Sequence, residues 1–88
     1  MFVIEDQFHA EPIGRFASRN EALAELRRLA ETPWDQAPNV APCGSWRTCG
    51  REYELIEYDV AVSPWRELSR TEALNVSAAG FEWKLGVI

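Results

Sequence analysis

Apolar residues at the start of the chain recur at every second position. Phe2, Ile4 and Phe8 share one parity of a two-residue period, with polar side chains at several positions between them. This period is typical of a strand that is buried on one face. Residues 11–14, Glu-Pro-Ile-Gly, carry proline and glycine at the spacing of a β-turn, so the pattern predicts a turn there and a short returning strand over residues 14–17.

The first helix is predicted both by its start signal and by its spacing. Ser18 and Glu21 have the spacing of a capping box, in which the serine hydroxyl and the glutamate carboxylate each bond a free amide at the helix start. Pro33 marks the end of the helix. The apolar positions that follow the capping box recur at helical spacing: Ala22, Leu23, Leu26, Leu29 and Ala30.

The segment from residue 51 to residue 62 is rich in tyrosine, isoleucine and valine, which favours a long strand. Strict alternation fails at Leu55 and Ile56, and a β-bulge at that point would return every apolar side chain to one face. The acidic side chains of the segment would then all lie on the opposite face: Glu52, Glu54, Glu57 and Asp59.

The last part of the chain carries a helix signal followed by a strand signal. Ser63 and Pro64 suit the cap and the first turn of a second, shorter helix. Apolar and polar residues then alternate over 81–87, which predicts a final strand. Trp65 and Trp83 fall in these periodic segments, and we expect both in the core.

Together these elements predict one α+β domain spanning residues 1–88. We expect a largely antiparallel sheet of about four strands, with one long and one shorter helix packed on one face. The predicted order is β-β-α-loop-β-α-β.

The connection over residues 33–50 is the most distinctive segment. Loops longer than about 12 to 15 residues are usually functional or disordered, and the tryptophans of this one are not typical of disorder. We therefore expect an ordered functional loop. Tryptophan and arginine are the side chains that most often anchor protein interfaces, which makes Trp34, Trp46 and Arg47 candidate partner-binding residues.

The formal net charge of −5 is unevenly distributed, and much of it lies between residues 51 and 62. A nucleic-acid binder requires a basic stripe, so this distribution argues against one and fits a basic protein partner. The start of the chain lacks the basic leader and apolar core of a signal peptide, and no apolar run has the length of a bilayer span. We therefore expect a cytoplasmic protein that does not bind membranes.

Cys43 and Cys49 are the candidate thiol or metal ligands. Their spacing is wider than that of most structural zinc sites, and His9 is the only histidine, so a metal site is disfavoured and no cofactor is predicted. Arg47 and Arg51 flank Cys49 and would favour its thiolate if they lie near the sulfur. A disulfide and two packed thiols remain open as alternatives. No spacing assembles a catalytic set, so an enzymatic role is disfavoured and no catalytic residue is assigned.

The sequence supports three functional hypotheses. The leading one is a small acidic protein-binding module of the inhibitor, immunity, antitoxin or counter-defence type, which acts by occluding a protein partner. The acidic row of residues 51–59 would steer the encounter, and Trp46 and Arg47, together with Trp34, would supply the buried contact. The second hypothesis is a thiol or metal site at the two cysteines with a redox-sensing or minor enzymatic role. The third is a structural accessory domain or a homodimer formed through an exposed strand edge.

Overall fold

The computed structural model describes residues 1–40 and 50–85. Within these residues the chain forms five antiparallel strands and one helix, joined by turns and loops. The strands form one sheet in the order β2-β1-β3-β4-β5, and every neighbouring pair is antiparallel. The helix packs against one face of the sheet, called here the helix face, and the other face is called the open face. The elements are β1 (Phe2–Asp6), β2 (Glu11–Phe16), α1 (Arg19–Glu31), β3 (Arg51–Asp59), β4 (Arg66–Ser77) and β5 (Gly80–Trp83).

The predicted fold class is wrong in its strand count and its helix count. The sheet has five strands instead of about four, and α1 is the only helix within the described residues. The segment predicted as a second helix from Ser63 and Pro64 is a hairpin connection that leads into β4. β4 forms because both edges of the central strand β3 need hydrogen-bonding partners, and β1 supplies only one. This non-local pairing overrides the local helix preference of residues 66–77.

The central strand β3 is buried on both faces, which explains why its apolar residues do not follow one parity. Leu55 pairs with Ile4, which belongs to the core on the helix face, whereas Ile56 pairs with Val3 on the open face. Leu55 is 2% exposed and Ile56 is 0% exposed. The predicted bulge at Leu55/Ile56 is therefore absent, because these two neighbours fill opposite faces of the sheet.

The acidic side chains of β3 do not all lie on one face, contrary to the prediction. Register shifts against β4 lie at Tyr53/Glu54 and at Glu57/Tyr58, and the pairing with β1 has no shift. Successive residues therefore alternate between the two faces over the part of β3 that pairs with β1, residues 53–57. Glu52 and Glu54 lie on the open face, whereas Glu57 has the parity of the helix face.

The predicted first helix is confirmed over Arg19–Glu31. Ser18 Oγ accepts a hydrogen bond from the Glu21 amide at 3.2 Å, as the capping box predicts. The Glu21 carboxylate accepts one from the amide of Ala17 at 3.1 Å, one residue earlier than the box predicts. The side chains that α1 buries belong to the predicted apolar stripe: Ala22, Leu26 and Leu29.

The core lies between α1 and the helix face. Trp83 is half-buried and packs against it. The expectation for Trp65 is wrong: this residue is 38% exposed, because the segment around it is the tip of a hairpin and not a helix. The strand residues of the core are Ile4, Tyr53, Leu55, Ala73, Leu74 and Val76.

The first hairpin turns earlier than predicted. β1 ends at Asp6 and β2 begins at Glu11, so the turn lies over residues 7–10 instead of 11–14. Phe8 lies in this turn and is exposed, although its parity placed it with the buried residues of β1.

Candidate functional site

The open face is lined by side chains from several strands. Arg15, Val3, Ile56 and Arg70 form one row across β2, β1, β3 and β4, each paired in register with the next. Val3 and Ile56 are buried, with 7% and 0% exposure, although α1 lies on the other side of the sheet. The centre of the open face is thus apolar and lies between two guanidinium groups.

Carboxylates outnumber cations on the open face. Strand register and hydrogen bonds place three cationic residues there, Arg15, Arg70 and Lys84. The face is therefore negatively charged overall, which attracts cationic surfaces. This acidic surface is assembled from four strands and not from a single row on β3. Its carboxylates are Glu5, Glu52, Glu54, Glu67, Glu72 and Glu82.

Arg70 organises the carboxylates at the centre of the open face. Its guanidinium lies 2.9 Å from Glu67, 2.7 Å from Glu54 and 3.5 Å from Glu5. The hydrogen bonds from Arg70 to Glu67 and Glu54 raise the pKa of Arg70. The Glu54 side chain is only 8% exposed, and the ion pair with Arg70 offsets the cost of burying its carboxylate. Glu72, in contrast, is exposed.

Trp65 lies at the rim of the open face, in the connection between β3 and β4. The guanidinium carbon of Arg15 lies 5.0 Å from the centroid of its ring, within the range of a cation–π contact. The ring centroid of Tyr58 lies 5.9 Å away. These contacts hold the indole in place while 38% of the residue stays exposed. The same hairpin exposes three further apolar side chains: Val60, Val62 and Leu68.

A buried polar cluster lies where the described chain leaves off at Val40 and resumes at Gly50. Arg51 donates hydrogen bonds to the carbonyls of Asn39 at 3.3 Å and Val40 at 2.8 Å. A Cβ atom on Gly50 would lie 2.5 Å from the carbonyl oxygen of Val76. The residues on both sides of 41–49 are therefore tied closely to the sheet.

Asp6 neutralises Arg51 in this cluster. Its fully buried carboxylate accepts hydrogen bonds from Arg51 at 3.0 Å, from the Glu52 amide at 3.0 Å and from the Phe8 amide at 3.1 Å. His9 Nδ1 lies 2.6 Å from Asp6 Oδ2, the oxygen that also accepts from Arg51, and donates to it. Burial alone would raise the pKa of Asp6, but the hydrogen bonds from Glu52, His9 and Arg51 outweigh it and hold the pKa below its ordinary value. The carboxylate is therefore ionised at neutral pH.

The hydrogen bond from His9 to Asp6 orients the imidazole as it would be in a general base. Among the described residues, no nucleophile lies within hydrogen-bond reach of its other ring nitrogen. His9 Nε2 is buried and has no hydrogen-bond partner in the described part of the chain. Nucleophilic catalysis needs a nucleophile within hydrogen-bond reach of such a base. The hydrogen bonds of the cluster join β1, the start of β3 and the segment that ends at Val40.

Asn39 links the cluster to α1. Its Nδ2 donates to the carbonyls of Leu29 and Thr32, each at 2.8 Å, at the end of the helix where carbonyls lack intrahelical partners. Its Oδ1 accepts from the Tyr53 hydroxyl at 2.8 Å. Burial raises the pKa of Tyr53, so the hydroxyl remains a donor. Residues 33–40 are thereby held against the helix and the sheet.

Of the loop residues that the sequence predicts to bind a partner, the structure describes only Trp34. Trp34 is half-buried and packs against the core. The other loop candidates lie outside the described residues, so their anchoring, thiol and metal roles remain predictions: Cys43, Trp46, Arg47 and Cys49.

The four acidic residues of β3 that the sequence predicts to bind a partner lie in different environments. Glu52 is half-buried on the open face, and Glu54 is bound to Arg70. Glu57 pairs in register with Phe2. Asp59 lies at the end of β3, where it accepts from Arg66 at 3.2 Å.

Two cavities adjoin these surfaces. One of about 320 Å³ is lined by Phe8, Arg51 and Phe81, among others. The other, of about 230 Å³, lies beside Glu72 and Lys84 on the open face. Sites for small organic ligands are mostly lined by apolar side chains. The second cavity differs from such sites, because most of its lining residues are charged. No group of three or more His, Cys, Asp or Glu residues in the described ranges is arranged to hold a metal ion.

Sequence reasoning missed Asp6, Arg70 and Trp65. A signal for Asp6 exists, since it shares the buried parity of Phe2 and Ile4 and is therefore a charged residue at a core position. Arg70 and Trp65 gave no such signal, because both lie in the segment that was predicted to be helical.

Comparison of the chain with protein-family models, curated proteins and solved structures finds no match. In residues 1–40 and 50–85, no helix is both long enough and apolar enough to cross a bilayer.

Proposed function

We propose that the chain is a small acidic protein-binding module that occludes a surface of a protein partner, as an inhibitor, immunity protein, antitoxin or counter-defence protein does. The contact surface in this proposal is the open face together with its rim at Trp65. The observation that carries the proposal is the presence on one face of an exposed, held indole and an excess of carboxylates.

Trp65 supplies the anchoring contact. Tryptophan is enriched among the residues that dominate interface energies. Because Arg15 and Tyr58 already pack against the indole, binding immobilises a side chain that has little freedom left to lose, and the entropic cost is small.

The carboxylates select the charge of the partner. A face with more carboxylates than cations attracts a basic surface and accelerates the encounter. Glu72 is exposed and free of the ion pair that holds Glu54, whereas Glu82 is exposed but pairs with Lys84 at 2.7 Å. Glu72 therefore contributes most to this steering. Trp46 and Arg47 remain candidate anchors from the sequence alone, since they lie outside the described residues.

The experiment uses the tagged chain to capture its partner from a lysate of the source cell, followed by titration with the purified partner. We expect Trp65→Ala and Glu72→Lys each to raise the dissociation constant about tenfold or more. Added salt should weaken the wild-type complex more than the Glu72→Lys complex, because salt screens the steering charges.

Two matched variants serve as controls. Phe81→Ala removes an aromatic ring from β5 that is 55% exposed, compared with 38% for Trp65, and Glu31→Lys makes the same charge change on the far side of the molecule, at the end of α1. Both should bind as the wild type does. Equal weakening by Glu31→Lys and Glu72→Lys, or full affinity of Trp65→Ala, would contradict the proposed surface.

A further inference from the structure

Among the described residues, the outer edge of β4 is paired over only part of its length. β5 pairs with β4 only over residues 74–77, and the amides of Lys84 and Leu85 bond the carbonyl of Ala73. Among the described residues no strand pairs with the outer edge of 66–72, and every residue of this segment is exposed. An open edge presents unpaired N–H and C=O groups that can pair with another strand.

The two terminal strands of the sheet offer poorer edges. β2 contains Pro12, which has no N–H to donate. β5 is only 4 residues long. The open part of β4 is therefore the edge best able to accept a further strand.

The charges along this edge are complementary to those of the same edge in a second copy of the chain. In an antiparallel pairing of two copies about a two-fold axis between Leu68 and Ser69, Glu67 of each copy lies opposite Arg70 of the other. Both residues lie on the open face, since Glu67 pairs with Tyr58 and Arg70 with Ile56, and Leu68 between them is an extra residue without a partner in β3. Opposite charges directly across a strand pair are stabilising.

We propose that two copies of the chain associate through antiparallel pairing of their β4 edges over residues 66–72, which joins the two sheets into one continuous sheet. Two Glu67–Arg70 pairs then cross the seam, one in each direction, beside the pair that each copy holds within itself at 2.9 Å. Leu68, which is 51% exposed in the single chain, is covered at the seam. The inference goes beyond the proposed function, because it concerns the sheet edge and needs no other protein.

The edge spans about 24 Å for residues 66–72 at about 3.4 Å per residue, so it buries less surface than a permanent dimer does. The association is therefore concentration-dependent. Sedimentation velocity over about a hundredfold range of concentration should show the mass rising from 10.0 kDa towards twice that value. Hydrogen exchange at the high concentration should slow for amides of residues 66–72 and stay unchanged for residues 11–16.

Two variants test the register. Leu68→Lys places a charge at the seam, and Glu67→Arg puts like charges opposite each other. Both positions are exposed in the single chain, so both variants should fold, which far-UV circular dichroism checks, and both should remain monomeric. The controls are Val62→Lys, in the same hairpin but off the edge, and Glu31→Arg, and both should dimerise as the wild type does.

Two results would overturn the proposal. One is a wild-type mass of 10.0 kDa at every concentration, the result expected if the edge stays unpaired or is occupied by another segment of the same chain. The other is a dimer that persists in Leu68→Lys and Glu67→Arg without slower exchange over residues 66–72, since that dimer would use another surface.

Discussion

Removal of the charge on Asp6 tests whether the buried cluster around Arg51 stabilises the fold. In Asp6→Asn the side chain keeps its size but no longer neutralises Arg51, which is only 5% exposed. The loss of one partner from a buried ion pair costs about 3–5 kcal/mol. Glu11 lies 3.3 Å from Arg51 and retains part of the compensation, so we expect the free energy of unfolding to fall by about 3 kcal/mol, the lower end of that range.

This loss is a large part of the total stability. A chain of 88 residues has about 4–13 kcal/mol at about 0.05–0.15 kcal/mol per residue. The assay is urea unfolding followed by far-UV circular dichroism. With a slope of about 1–3 kcal/mol/M, the midpoint should fall by about 1–3 M.

The matched control for this substitution is Asp59→Asn. Asp59 pairs with Arg66 at 3.2 Å, and the two side chains are 28% and 66% exposed, so this pair contributes only about 0–1 kcal/mol. If Asp6→Asn costs no more than Asp59→Asn, the burial and hydrogen bonds of Asp6 do not stabilise the fold, and the reasoning is refuted.

The same carboxylate predicts how stability depends on pH. The folded-state pKa of Asp6 lies below its ordinary value, so the folded state binds fewer protons than the unfolded state where the two differ. Its contribution to stability is complete above the unfolded pKa of about 3.9 and is lost as the pH falls through the folded pKa. Urea midpoints measured in acid should therefore decline less steeply in Asp6→Asn than in the wild type, and parallel declines would contradict this assignment.

The remaining predictions concern two close contacts, and both use the same urea assay. Tyr53→Phe removes the hydroxyl that donates to Asn39 at 2.8 Å and leaves a buried amide oxygen unpaired, for an expected loss of about 1–3 kcal/mol; an unchanged midpoint would show that this bond contributes nothing. Gly50→Ala would place a Cβ atom 2.5 Å from the carbonyl oxygen of Val76. The backbone must move to admit it, so we expect a loss of about 1–3 kcal/mol, and wild-type stability in this variant would rule out the close approach.

The helix could be predicted because its signals are local. Ser18 and Glu21 are three positions apart, and both form the hydrogen bonds of a helix start. The buried positions Ala22, Leu26 and Leu29 recur within the helix itself. No contact from elsewhere in the chain is needed to recognise this element.

The strand β4 could not be predicted in the same way, because its partner is distant in sequence. Residues 66–77 contain many helix-favouring side chains, and their strand conformation depends on pairing with β3. The failed alternation at Leu55 and Ile56 was the available clue. Two apolar neighbours on opposite faces indicate a strand buried on both sides, and such a strand requires a neighbour on each edge.

The candidate site shows the same contrast between features that local sequence predicts and features that depend on contacts between distant residues. That acidic residues lie on the sheet could be predicted from the sequence, whereas their distribution over four strands depends on the register. Arg51 and Asp6 are 45 positions apart in sequence, and the cation–π contact of Trp65 with Arg15 joins two hairpins. Contacts of this kind appear only once the sheet order is known.

Carboxyl labelling of the chain with and without its bound partner is the most direct test of the open face as the binding surface. Glu52, Glu72 and Glu82 lie on that face, whereas Glu31 is exposed at the end of α1. We predict that the partner lowers the labelling of the first three and leaves Glu31 unchanged. Protection of Glu31 with unchanged labelling of Glu52, Glu72 and Glu82 would contradict the central claim.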